Sequence, residues 1–75
     1  MSLAHEIVEA LVSEVDTTAR TFYTRFYAVV SFAHPNGTFD ERAQQKRREL
    51  AALLLSYNYQ VKSGGFPYNL TIDFF

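Results

Sequence analysis

The chain has 75 residues, 48% hydrophobic, 16% aromatic and 20% charged, and seven Lys and Arg against eight Asp and Glu give a net charge of -1. That balance excludes a chain disordered throughout and argues against an overall polyanion binder, while the absence of cysteine excludes a disulfide framework, a cysteine zinc site and a thiol nucleophile. A single domain this small buries only about 60% of the surface its unfolded chain exposes; seven Phe and five Tyr, each hiding roughly 150–250 Å² when buried, are expected to need a second chain to cover them.

In chain order, Ala4, Val8, Leu11, Val15, Phe22, Phe26 and Val29 are spaced by fours and threes, with Thr18 filling the gap. That is a helical seam and predicts a long N-terminal helix over Leu3–Phe32. Asp16-Thr17-Thr18 is its weak point, because Asp16 is a good cap and paired threonines are mediocre helix formers, so a kinked pair of helices remains open. The run ends before His34-Pro35-Asn36-Gly37, which is turn chemistry.

A second helix is predicted over about 39–56. Thr38-Phe39-Asp40-Glu41 fits a capping box with Thr38 as the cap. Ala43, Leu50, Leu54 and Tyr57 form its inner stripe, and Ala51, Leu53 and Leu55 widen it until the helix is apolar over more than half its circumference.

From Ser56 the period falls to two. Tyr57, Tyr59 and Val61 alternate with polar residues, and after Ser63-Gly64-Gly65 so do Phe66, Tyr68, Leu70, Ile72 and Phe74. Such alternation marks half-buried strands, joined here by a glycine turn. Tyr57–Lys62 is thus a first strand or the end of the helix, and Pro67 points to an edge position for the last strand. No internal repeat is evident. The expectation is one α+β domain over 1–75: two antiparallel helices with a C-terminal β-hairpin or single strand.

The residues that carry chemistry are few. His5 and Glu9 share a helix face, but two ligands on a chain end make no metal site. His34 lies in a turn. Gly-x-Ser-x-Gly is absent, and Ser63-Gly64-Gly65 lacks the ending of a phosphate loop. Catalysis, a cofactor and a bound metal are therefore not expected. The start of the sequence lacks the basic region of a signal peptide, and uncharged stretches are too short to span a bilayer. The expected location is the cytosol, of a cell or of an infected host.

Charge is segregated. Residues 1–16 hold Glu6, Glu9, Glu14 and Asp16 and no base. Residues 17–48 hold Arg20, Arg25, Arg42, Lys46, Arg47 and Arg48 against Asp40 and Glu41. Opposite fields on a small body favour self-association or an acidic partner. Candidate partner-binding residues are Arg42, Lys46, Arg47 and Arg48 on the second helix and Phe66, Tyr68, Phe74 and Phe75 on the tail, where alternation sends Phe74 inward and Phe75 outward. The expected function is a non-catalytic protein–protein interaction module. It would be a self-associating adaptor (a dimer favoured), an accessory subunit or a small inhibitor, of the kind phages and mobile elements encode. The alternative is a small DNA- or RNA-binding regulator using the basic second helix.

Overall fold

The computed structural model describes residues 3–33, 36–63 and 69–74. Its elements run α1 (Leu3–Val15), β1 (Arg20–Tyr23), β2 (Tyr27–Ser31), α2 (Glu41–Ser56), β3 (Gln60–Ser63) and β4 (Asn69–Asp73). The strands form one antiparallel sheet in the order β1-β2-β4-β3. The α+β class and the C-terminal hairpin are as expected, but the sheet has four strands rather than one or two.

The long first helix is replaced by α1 and a hairpin. Asp16 breaks it: its N–H still donates to Val12 at 2.8 Å, but its carboxylate accepts from the Thr18 N–H at 2.9 Å and the Thr18 hydroxyl at 2.7 Å. A side chain that caps its own following turn competes with the helix. Beyond it, Arg20–Tyr23 and Tyr27–Ser31 are rich in aromatic and β-branched residues, which favour a pleated, half-buried surface. Phe22 and Val29, which a helix would bring onto one face, are instead cross-strand partners. The Thr24 hydroxyl closes the turn between the strands, accepting from the N–H of Phe26 at 3.2 Å and of Tyr27 at 3.0 Å.

The helix over 41–56 stands, with a different cap. Asp40, not Thr38, is the N-cap, and its carboxylate accepts from the Ala43 N–H at 2.9 Å. Thr38 is engaged one turn earlier, where its hydroxyl donates to Asn36 at 2.7 Å beside Gly37, whose φ of +85° suits glycine. At the other end, the N–H groups of Tyr57 and Tyr59 both donate to the Leu54 carbonyl, at 3.0 and 3.1 Å. Asn58 takes φ +68°, a left-handed residue of the kind that ends helices. The alternation starting at Tyr57 therefore becomes a strand only from Gln60. The Gly64-Gly65 turn lies outside the described residues. Pro67 also lies outside the described residues, and the last strand, β4, is not at an edge but between β2 and β3.

Both helices pack on one face of the sheet. Val8, Leu50 and Leu54 from the helices and Ala28, Val30, Leu70 and Ile72 from the two central strands are fully buried, with Leu11, Val12, Phe32 and Ala43 beside them. The residues expected to widen the apolar side of this helix divide: Leu53 is partly buried, but Leu55 is 57% exposed.

The topology also repeats where the sequence does not, since α-β-β occurs twice. Val8, Leu11 and Val12 correspond to Leu50, Leu53 and Leu54. At the same offset Ala28, Val30 and Phe32 correspond to Leu70, Ile72 and Phe74. The two halves meet through the antiparallel β2–β4 pair, centred on Val29 and Thr71.

If Asp40 is the cap, Asp40→Ala costs about 0.5–2 kcal/mol in urea unfolding. Thr38→Ala stays within about 0.5 kcal/mol, as for an ordinary surface change. A larger cost at Thr38 than at Asp40 would restore the capping box to its sequence position.

Candidate functional site

Alternation along the strands decides what the second face of the sheet carries. Thr21, Tyr23, Ala28, Val30, Leu70, Ile72 and Val61 turn toward the helices. Arg20, Phe22, Tyr27, Val29, Ser31, Asn69, Thr71, Asp73, Gln60 and Lys62 turn away. On that open face Phe22 is 64% exposed and Tyr27 38%, and Phe26 in the adjoining turn is 54% exposed. The Arg25 guanidinium lies 5.6 Å from the Phe26 ring centroid.

The internal repeat is not kept on this face. Phe22 pairs with Val29 across one half, whereas Lys62 pairs with Thr71 across the other. One half is therefore apolar and aromatic and the other polar. Lys62, its side chain 74% exposed, lies 3.8 Å from Asp73, a pairing of small energetic weight on its solvated side. Exposed rings on the surface of a small protein are common singly, whereas a contiguous group marks an interaction site.

A second feature lies at the end of the sheet where α1 finishes and α2 begins. A cleft of about 280 Å³ is lined there by Arg20, Arg42, Lys46 and Asp16, with Ser31 and Ala43 in its walls. Arg42 and Lys46 are one turn apart on α2 and so share a side of the helix. Arg20 comes from the edge strand, and its guanidinium donates to the Ala33 carbonyl at 3.3 Å. Lys46 pairs with Asp16 at 3.2 Å, the two side chains 25% and 11% exposed. This pair joins the acidic and basic stretches of the sequence within one molecule.

Burial alone would raise the Asp16 pKa, but the two Thr18 hydrogen bonds and Lys46 together outweigh it and hold the carboxyl below its ordinary 3.8. Tyr23 moves the other way. Burial of its phenol pushes it above 10.0, the charge of Glu9 adds to this, and Thr21 offsets part. Its oxygen is shielded from water.

The basic residues of α2 do not act together. Arg42 and Lys46 face the cleft, Arg47 lies 5.5 Å from the Phe39 ring centroid, and Arg48 is exposed. Phe74 is half-buried, its ring 5.0 Å from that of His5 and its N–H donating to Phe26 at 3.0 Å. Phe66, Tyr68 and Phe75, and also His34, lie outside the described residues. His5 is used in packing: its ring also meets Tyr23 at 5.0 Å, and Nε2 donates to the Thr24 carbonyl at 3.0 Å. Arg20, Phe22 and Tyr27 were absent from the sequence candidates. The signal for them was the β-branched and aromatic content of residues 20–31, masked by a helical spacing. No family model, curated protein or solved structure matches this chain.

Because the folded pKa of Asp16 is depressed, its contribution to stability is present above the unfolded value and is lost as pH falls through the folded one. The melting temperature of the wild type should therefore exceed that of Asp16→Asn at neutral pH. The gap should close below about pH 4. A gap that persists in acid would mean that the Asp16 charge is not what the turn and Lys46 recognise.

Proposed function

We propose that this protein is a non-catalytic, self-associating interaction module whose docking surface is the open face of the sheet. The observation that supports it is the placement of both helices on one face while Phe22, Tyr27 and Phe26 stand exposed on and beside the other. A second copy is the occupant that fits. The apolar half of one face meets the apolar half of its partner, and packed sheets lie about 10 Å apart, room enough for interleaved rings. Lys62 and Asp73 give the face both signs of charge, so a copy of itself meets complementary groups rather than a repelling field.

Size sets the strength. Four strands of about five residues give a footprint of roughly 300 Å², below the roughly 800 Å² per partner of a standard interface. Rim groups such as Phe26 and Arg25 add area but do not double it. The dimer is accordingly one that dissociates on dilution, which suits a switchable adaptor or accessory subunit better than an obligate assembly.

Sedimentation over a concentration series tests the reading. The wild type should shift from monomer to dimer with rising concentration. Phe22→Ser combined with Tyr27→Ser should remain monomeric with its dilute melting temperature unchanged, because both side chains are exposed in the monomer. A double variant that keeps the dimer mass, or a wild type that stays monomeric at about 1 mM, overturns the proposal. So does a monomer that binds single-stranded oligonucleotide through these same rings.

A further inference from the structure

We infer that the cleft between the C-terminal end of α1 and the first turns of α2 binds a dianionic phosphate group, such as the terminal phosphate of a small monoester, through Arg20, Arg42 and Lys46. Three cations from two elements face one cavity of about 280 Å³ in which Asp16 is the lone acid among the lining residues. Asp16 neutralises only Lys46, at 3.2 Å, and leaves two guanidiniums on different walls. A guanidinium is a planar fork of donors suited to bidentate contact with phosphate. Arg20 spends a donor on Ala33 at 3.3 Å, which fixes its plane and leaves its remaining N–H groups to a ligand. Cations that converge with nothing of equal charge between them repel one another, and a bound anion relieves that repulsion.

The ligand is small rather than a nucleic-acid backbone. Asp40 and Glu41 immediately precede Arg42 in sequence at the start of α2, and Glu14 stands near the end of α1. A polyanion laid across the cleft would bring neighbouring phosphates onto these acids. A compact dianion avoids them.

The test is a titration of the full chain with inorganic phosphate and with adenosine 5′-monophosphate, at constant ionic strength, followed by amide NMR shifts. Saturable shifts confined to residues 16–20, 31–33 and 40–46 are expected. R20Q and R42Q should each weaken binding about tenfold, the loss of one charged hydrogen bond. The double variant R47Q/R48Q should bind as the wild type does. K46Q is not used, because it also unpairs Asp16. Melting temperatures of R20Q and R42Q within a few degrees of the wild type exclude misfolding as the cause of weaker binding. Shifts that never saturate, shifts spread over the surface, or R20Q and R42Q titrating like the wild type overturn the inference. It is also overturned if an oligonucleotide binds more tightly than the monoester at equal phosphate concentration with a steep salt dependence.

Discussion

The antiparallel pairing of β2 with β4 is the contact on which the rest of this structure depends. Each strand brings two fully buried side chains to one face, Ala28 and Val30 from one and Leu70 and Ile72 from the other. Those four residues form the floor on which Val8, Leu50 and Leu54 sit. Remove that pairing and two α-β-β units remain, each with a two-stranded hairpin that is marginal by itself. The pairing makes one core out of two incomplete ones, and it does so without a disulfide, since the chain has no cysteine.

It also determines what is left uncovered. Both helices are spent on one face, so the opposite face is exposed wherever the described residues leave it so. On the core side the halves match in apolar character and position. On the open side they diverge, Phe22 standing where the other half has Lys62 and Tyr27 where it has Asn69. Core positions are held alike by packing, which penalises any change of volume. Open positions answer to whatever they touch, and this difference between the halves is where a binding role would be written. The cationic cleft follows from the same geometry, because the end of α1 and the start of α2 are brought together over the ends of β1 and β2.

The second helix and the last hairpin were legible in the sequence, because Ala43, Leu50 and Leu54 keep a helical period and Leu70, Ile72 and Phe74 keep a period of two. The first hairpin was not. Phe22, Phe26 and Val29 carry a spacing that both a helix and a hairpin can produce, and the choice rests on Asp16 closing a turn with Thr18. With that hairpin went the four-stranded sheet, the exposed Phe22 and Tyr27, and the place of Arg20. Of the basic cluster, Arg42 and Lys46 were found but not their companion, since Arg20 joins them only through tertiary contact. The repeat was hidden because its halves share an apolar pattern far more than identity.

The central claim is that the sheet's open face meets the same face of another molecule. Because the chain has no cysteine, a nitroxide can be placed at one position by Q60C on the exposed rim of that face, or by E14C on the outer side of α1. Dipolar distances between labels in concentrated solution then report the arrangement directly. The account predicts a short intermolecular distance at Q60C and a longer one at E14C, by about two layers of roughly 10 Å each. Labels at E14C that lie closer together than those at Q60C, or no intermolecular coupling at either position, would contradict it.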